Sequence, residues 1–237
     1  MKKIFGLVAI GLLASGCATV NPMAFDKSAK TIDTRSKSVI LMTVDISRSD
    51  DSRYVPEPFA VKLEEPNAHE KSQRQNFKLN QKVDTIQEAG HHVYLVRMAV
   101  KPGNYKLTTV SGLARAFPFN GFFDVPVLAD LHVQPNTITY IGRVSASLRH
   151  REEGEFRAGP LLPLVDQAAT SMSTSTWDVV IKDNAENDLA QFRRRYPVLL
   201  SSTIEQKPLP PFDKNAAQKW WDGNASSKDS KTAAAGK

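Results

Sequence analysis

Cys17 is the only cysteine among the 237 residues of the chain, and its thiol is the strongest nucleophile that the sequence offers. Three small residues, Ala14-Ser15-Gly16, stand directly before it. A lone thiol cannot form a disulfide within the chain, so the fold must be stable through its apolar core alone. We therefore expect Cys17 to be chemically modified, because an exported free thiol is unusual.

The residues before Cys17 have the layout of an export signal. Lys2 and Lys3 supply a positive start, residues 4–13 form an apolar run interrupted only by glycine, and small residues follow. The apolar run is too short for a permanent membrane span, which takes about 20 residues. These features predict a signal peptide over residues 1–16.

The string Leu13-Ala14-Ser15-Gly16-Cys17 resembles the lipobox of bacterial lipoproteins. The resemblance implies that the thiol of Cys17 is diacylglycerated, that the signal is cut before it, and that the new amine is acylated, as with palmitate. Ala18 follows rather than Asp, which in enterobacterial sorting implies the outer membrane. The alternative is an ordinary cleaved signal peptide with an incidental cysteine nearby. We expect a lipid-anchored protein at the periplasmic face of the outer membrane.

The chain lacks the sequence signatures of the common catalytic sites. It contains no Gly-x-Ser-x-Gly, Ser-x-x-Lys or His-Glu-x-x-His motif and no glycine-rich phosphate loop. His91 and His92 are adjacent and point to opposite faces of a strand, so only one of them could join His132 or His150 at a metal. We expect the histidines to lie at strand ends in solvent, and we predict no metal and no cofactor.

Four phenylalanines surround Asn120-Gly121 and are the candidate recognition residues of the chain. Alternation places Phe117 and Phe119 on one side of a strand, as in a core strand, and periodicity favours a core position for the cluster as a whole. The alternative is an exposed aromatic tip that binds a partner, with Phe122 and Phe123 as the candidate partner-binding residues.

Composition indicates an ordinary globular domain. Apolar residues make up 41% of the chain and charged residues 24%, so a packed core can form, and collagen, coiled-coil and multispan membrane classes are excluded. The formal net charge of +6 is spread along the sequence. No nucleic-acid partner is therefore expected.

Strand-length segments dominate the middle of the chain. Residues 39–44 form a near-continuous apolar run that predicts a central strand. Residues 55–63 predict a second strand, in which Pro56 and Pro58 confine pairing to the later half. Residues 91–100 are apolar on both faces apart from Arg97, which predicts a buried strand.

Three turns are predicted between these strands. Lys101-Pro102-Gly103-Asn104 suits a type II turn and so a hairpin, and Val133-Gln134-Pro135-Asn136-Thr137 repeats its pattern 33 residues later as a second hairpin. Phe119-Asn120-Gly121-Phe122 predicts a two-residue type I′ turn. Pro118 and Pro126 would place that last hairpin at a sheet edge.

The domain organisation follows from composition. We expect a signal peptide over residues 1–16, a lipidated tether over 17–37, a β-sandwich over 38–183, a helical segment over 184–221 and a disordered tail over 222–237. In the helical segment, Asn184 can act as N-cap and apolar residues recur at helical spacing: Leu189, Phe192 and Tyr196. Arg193-Arg194-Arg195 and Trp220-Trp221 suit an interface, although a solvated helix end is favoured for the arginines.

The string Val100-Lys101-Pro102-Gly103-Asn104-Tyr105-Lys106-Leu107, followed by Ile138-Thr139-Tyr140-Ile141-Gly142-Arg143, resembles the core of uncharacterised envelope lipoproteins with a transthyretin-like or carboxypeptidase-regulatory-like β-sandwich. The resemblance implies a fold and an envelope setting, and it brings no catalytic residues. The sequence thus predicts a mainly β protein, a single transthyretin- or Ig-like sandwich with a C-terminal helix.

The expected function is that of a non-catalytic accessory protein. It would bind or support another envelope component, a protein or a polymer, while acyl chains on Cys17 hold it at the membrane. The alternative function is that of an envelope hydrolase whose active site no motif reveals. A stress-responsive or secretion-associated role would have the same sequence features as the accessory role.

Acylation of Cys17 can be tested directly. Three acyl chains bind far more firmly than the single chain that gives only marginal membrane affinity, so the wild type should fractionate wholly with membranes. Cys17→Ser should release the protein or leave it unprocessed. Metabolic palmitate labelling is the measurement, and an exported wild-type chain without label would contradict the lipoprotein prediction.

Overall fold

Short stretches rich in β-branched and aromatic residues form strands along most of the chain. The computed structural model describes residues 18–48, 55–88, 91–116, 119–159 and 172–223. Within these residues the strands are β1 (Thr19–Asn21), β2 (Ser38–Arg48), β3 (Val55–Glu64), β4 (Arg74–Lys78), β5 (Thr85–Glu88), β6 (His91–Val100), β7 (Gly103–Ala116), β8 (Phe119–Val133), β9 (Ile138–His150), β10 (Ser175–Lys182) and β11 (Glu205–Gln206). The helices are α1 (Ala185–Arg195) and α2 (214–223), with 3-10 turns at Lys71–Gln73 and Pro197–Leu199.

The strands form two sheets. The five-stranded sheet has the order β1-β4-β3-β7-β8, and the six-stranded sheet has the order β10-β9-β2-β6-β5 with β11 beside β9. β2 is central, as predicted for residues 39–44, and it pairs antiparallel with β6 and parallel with β9. The prediction of a mainly β sandwich with a C-terminal helix is confirmed.

The six-stranded sheet is covered on both sides. Ile40 and Met42 of β2 join the core between the sheets, whereas Leu41 points the other way because successive side chains of a strand alternate. A second apolar cluster covers this outer side, and its members from the C-terminal segment are Ala185, Leu189, Phe192, Tyr196 and Leu199. Each large apolar side chain buried there contributes about 1.5–3 kcal/mol. The predicted helix therefore forms a third layer.

The start of α1 differs in detail from the prediction. Asn184 holds the N-cap position, but its side-chain amide donates to Asp188 at 2.8 Å and caps no backbone group. The backbone N–H of Ala185 instead donates to the carboxylate of Asp183 at 3.0 Å. The second helix, α2, lies at the end of the helical segment predicted over residues 184–221 and extends two residues beyond it.

The proline-containing start of β3 pairs on one side only. With β4, pairing begins at Ala60, as the lack of N–H groups on Pro56 and Pro58 predicts. With β7, pairing runs from Val55 onward. The predicted restriction on pairing therefore applies to β4 and not to β7. On the side of β4, the side-chain amide of Gln81 donates to the carbonyl of Pro58.

The connection between β6 and β7 is not the hairpin that Pro102-Gly103 predicts. β6 lies in the six-stranded sheet and β7 in the five-stranded sheet, so residues 101–102 form an arch between the sheets. Gly103 is the first residue of β7, with a φ of 150° that residues with side chains rarely adopt. The type II hairpin is wrong because packing of distant residues, and not the turn, decides which sheet a strand joins.

The repeated pattern at residues 133–137 also lies at an arch between the two sheets. β8 and β9 also lie in different sheets, and residues 134–137 join them, with Asn136 at a φ of 58°. Gly103 pairs with Val133, so the two arches lie side by side at one end of the sandwich. The hydroxyl of Ser38 donates to the carbonyl of Gln134 there. The repeated pattern thus encodes two arches where two hairpins were predicted.

β7 and β8 do form a hairpin, but not around Asn120-Gly121. Asn120 pairs with Arg115 and Gly121 with Ala114, so both lie inside β8, and the strands reverse between Ala116 and Phe119. The observed register buries one face of both strands, including Ala114, Phe123 and Val125, and this outweighs the local preference of Asn-Gly for a turn. β8 is an edge strand, as Pro126 predicts.

The segment expected to act as a tether is packed on the domain. β1 pairs in parallel with β4, and the backbone N–H of Ala24 donates to the carbonyl of Arg97 at 2.8 Å. Phe25 then packs edge-on against Tyr196, with ring centroids 5.5 Å apart. Residues 19–25 are therefore attached to the domain by strand pairing, backbone hydrogen bonds and partly buried apolar side chains. The predicted signal peptide, Cys17 and nearly all of the predicted tail lie outside the described residues.

Gly103→Val should destabilise the fold by about 1–3 kcal/mol, because a β-branched residue is strained at positive φ. Space is not the cause, since a Cβ at this position would meet Tyr105 only at 3.6 Å. Urea unfolding is the measurement. Asn104→Val is the control, because Asn104 is exposed in the same strand and has no positive φ. Equal losses in the two variants would contradict the role of Gly103.

Candidate functional site

The two candidate partner-binding residues point to opposite sides of β8. Phe122 is 61% exposed, whereas Phe123 is 1% exposed and belongs to the core between the sheets. Adjacent residues of a strand cannot share a face, so the prediction that both rings are on the surface is wrong for Phe123. Phe117 and the side chain of Phe119 lie outside the described part of the chain.

Phe123 joins the two sheets. It pairs with Gly112 of β7, and its ring fills the space that a side chain at Gly112 would occupy, 2.2 Å from an ideal Cβ. On its other side it contacts Trp177 of β10, with ring centroids 5.1 Å apart. This aromatic pair belongs to the interior and offers no recognition surface.

Phe122 lies in a small apolar patch on the outer face of the five-stranded sheet. Leu113 of β7 is directly opposite Phe122, and Val55 of β3 is 47% exposed on the same face. We call these three residues the Phe122 patch. An ion pair between Arg115 and Glu57, 3.0 Å long, lies beside it. An apolar centre next to exposed charges is the usual composition of a protein-binding surface.

The strand that carries Phe122 is held on both edges. Along one edge β8 pairs with β7, and along the other the backbone N–H of Asp124 donates to the carbonyl of Ala158 at 2.9 Å. The N–H of Ala158 in turn donates to the carbonyl of Ser175 in β10 at 2.7 Å. Residue 158 thus connects the edges of the two sheets, and the Phe122 patch has a rigid support.

Two acidic residues without a sequence assignment form ion pairs on the outer face of the five-stranded sheet. Asp124 accepts from Lys62 at 3.0 Å and also from the hydroxyl of Ser111. Asp130 pairs with Lys106 at 2.8 Å. Both carboxylates lie on the outer face of the five-stranded sheet and have basic partners, so we assign them to surface pairing.

The histidines contact single polar partners. His91 Nε2 lies 3.0 Å from a carboxylate oxygen of Asp45, and His132 Nδ1 lies 2.6 Å from the amide oxygen of Asn104. His150 is exposed at the end of β9. In the described ranges no three His, Cys, Asp or Glu side chains are arranged to hold a metal ion.

Arg97 is a deeply buried charge on the outer side of the six-stranded sheet, at 1% exposure. Its guanidinium lies 2.6 Å from the carboxylate of Asp84 and donates to the carbonyls of Phe25 and Leu95 and to the hydroxyl of Tyr196. The Tyr196 ring centroid is 4.1 Å from the guanidinium carbon, a cation–π contact. The sequence signal for this cluster was the single charge in an otherwise apolar strand.

Arg143 forms a second buried cluster on β9. It donates to Asp188 of α1 and to Glu88 of β5, the latter at 2.8 Å. Hydrogen bonding from Arg143 lowers the pKa of Glu88 below its usual value. Tyr140 donates to Asp188 at 2.6 Å. Burial is the main cause that raises the pKa of Tyr140, and this hydrogen bond raises the pKa further. Sequence analysis missed this cluster because its members are far apart in the chain.

These two clusters fasten the helix to the sheet. Asp188 near the start of α1 and Tyr196 after its end each contact a different buried arginine. Arg195 also donates to the carbonyl of Val83 at 2.9 Å, so one residue of the arginine triplet is structural. The acids and the tyrosines in the clusters therefore have a structural role.

Two recesses flank the N-terminal segment. One has a volume of about 470 Å³ between this segment, the second arch and residues 198–205, and it is lined largely by hydroxyl side chains. The other, of about 440 Å³, opens beside Phe25, Asp84 and Arg97. Each recess is lined in part by described residues that already form hydrogen bonds within the fold.

No family model, curated protein or solved structure matches the chain. The resemblances to lipoproteins and to transthyretin-like sandwiches therefore rest on the quoted residues alone. Among the described residues no helix is long and apolar enough to cross a membrane.

The two neighbouring phenylalanines should respond differently to truncation. Phe123→Ala should cost about 3–5 kcal/mol, because it leaves a cavity between Gly112 and Trp177. Phe122→Ala should change stability by less than about 0.5 kcal/mol, because its ring is exposed. Urea unfolding of both variants is the measurement. A large loss in Phe122→Ala would show that its ring is part of the core.

Proposed function

We propose that the chain is a lipid-anchored, non-catalytic accessory protein of the bacterial cell envelope. Acyl chains on Cys17 hold it at the periplasmic face of the outer membrane, and the folded domain binds or supports another envelope component. The lipobox string before Cys17 and the small residue after it support the anchoring.

The Phe122 patch is the observation that carries the binding role. The ring of Phe122 is 61% exposed on a strand that pairs with β7 on one edge and bonds to Ala158 on the other. An exposed aromatic side chain on a rigid support loses little conformational freedom on binding, and aromatic anchors often dominate interface energies. The neighbouring Arg115–Glu57 pair supplies polar groups at the rim. The patch therefore suits a protein partner with a complementary apolar side chain.

The buried charged groups support the non-catalytic part of the proposal. Arg97 and Arg143 direct their hydrogen bonds to side chains and carbonyls of the fold itself. Asp188 accepts from Arg143, Tyr140 and Asn184 together. Groups engaged in this way stabilise the helix on the sheet, and we assign them no substrate.

A photo-crosslinking amino acid at Phe122 tests the binding role. In living cells it should give a discrete cross-linked band with an envelope protein, because this side chain is the most exposed one of the proposed interface. The same amino acid at Val180 is the control, since Val180 is also 54% exposed but lies on β10. Equal cross-linking from both positions, or none from Phe122, would contradict the proposal.

A further inference from the structure

The residues directly after Cys17 belong to the folded domain. β1 pairs Thr19 with Gln75, Val20 with Asn76 and Asn21 with Phe77. The hydroxyl of Thr19 also donates to the carbonyl of Lys71 at 3.3 Å. Ordered pairing thus begins two residues after the proposed acylation site.

The chain is fixed again a few residues later, on the other sheet. The backbone N–H of Ala24 donates to the carbonyl of Arg97, and the side chain of Arg97 donates to the carbonyl of Phe25 at 2.9 Å. Met23 packs against the core between the sheets. Residues 19–25 therefore connect both sheets, and no slack remains between β1 and the rest of the domain.

Chain geometry limits how far the anchor can lie from the domain. Consecutive Cα atoms are about 3.8 Å apart, so the Cα of Cys17 lies within about 7 Å of that of Thr19. A flexible tether over residues 17–37 would instead allow a separation of about 25 Å. The bilayer surface must therefore lie close to β1 wherever acyl chains hold Cys17.

We infer that acylation of Cys17 fixes the orientation of the domain on the membrane, an inference that depends on the proposed lipid anchor. The loop between β3 and β4, residues 65–73, lies next to Thr19 and would face the bilayer. Leu63 of β3 is level with Thr19, because both are paired with Gln75. Val55 lies eight residues further along β3, about 26 Å away at 3.3 Å per residue.

This orientation presents the Phe122 patch away from the anchoring membrane. Val55 is a member of the patch, and Arg115 beside the patch pairs with it. The partner would then lie in the aqueous compartment, at a distance from the lipid surface. A partner confined to the headgroup region of the same bilayer could not reach the patch.

The loop that faces the bilayer is not basic. Residues 65–73 contain Glu65 and Glu70 against Lys71, so this loop itself has no net positive charge to attract anionic lipids. Covalent anchoring next to a paired strand is sufficient. The orientation should consequently not change with salt, unlike an electrostatic attachment.

Fluorescence quenching tests the orientation. The acylated protein has no free thiol, so Ser72→Cys and Arg115→Cys each provide one labelling site, near to and far from Thr19. In neutral phosphatidylcholine vesicles with a headgroup nitroxide, which quenches only at short range, label at Ser72 should lose most of its emission. Label at Arg115 should lose little, at low and at high salt alike.

Insertion of ten Gly and Ser residues between Cys17 and Ala18 is the matched control. This linker adds an average reach of about 17 Å, so the difference between the two labels should shrink while vesicle binding stays. Equal quenching at Ser72 and Arg115 in a vesicle-bound protein without the linker would overturn the orientation alone. A wild-type chain that neither takes up palmitate nor binds vesicles would overturn the anchor and, with it, the orientation.

Discussion

Arg97 carries a positive charge in the interior, and three other parts of the chain must stay in place to keep it there. The carboxylate of Asp84, the carbonyls of Phe25 and Leu95 and the hydroxyl of Tyr196 all accept its hydrogen bonds. An isolated charge would not remain in such a site, because burial without partners costs several kcal/mol. The N-terminal segment, the β4–β5 connection and the end of α1 are thus held together by one guanidinium.

Arg143 repeats this arrangement at the other end of the helix. Arg97 lies on β6 and Arg143 on β9, with β2 between them, so α1 is attached to the sheet at two points on different strands. Apolar packing alone would let a helix slide or rotate over a sheet of similar side chains. Directed bonds at both ends fix its position, at the cost of desolvating both arginines.

The sequence was sufficient for the elements whose signal is local. Residues 39–44 and the spacing of Leu189, Phe192 and Tyr196 predicted the central strand and the helix, because burial patterns repeat within a few residues. Pro102-Gly103 led to the wrong prediction of a hairpin, because two residues at a chain reversal do not determine which sheet the following strand joins. Alternation could have separated Phe122 from Phe123, but the Asn-Gly turn assigned to them obscured the strand. Ala24 and Phe25 are held by hydrogen bonds with Arg97, and no pattern within residues 19–25 could indicate a partner so distant in sequence.

The backbone hydrogen bonds of Ala158 affect how copies of the chain could contact one another when many of them lie on one surface. An edge strand offers its free N–H and C=O groups to any neighbouring strand, and crowding in a plane favours such additions. By bonding to Asp124 on β8 and to Ser175 near the start of β10, Ala158 occupies backbone groups on both edges with a single residue. A neighbouring strand cannot then pair with the N–H of Asp124, two residues from Phe122. Beside the Phe122 patch, β8 is therefore protected against strand addition from another copy of the chain.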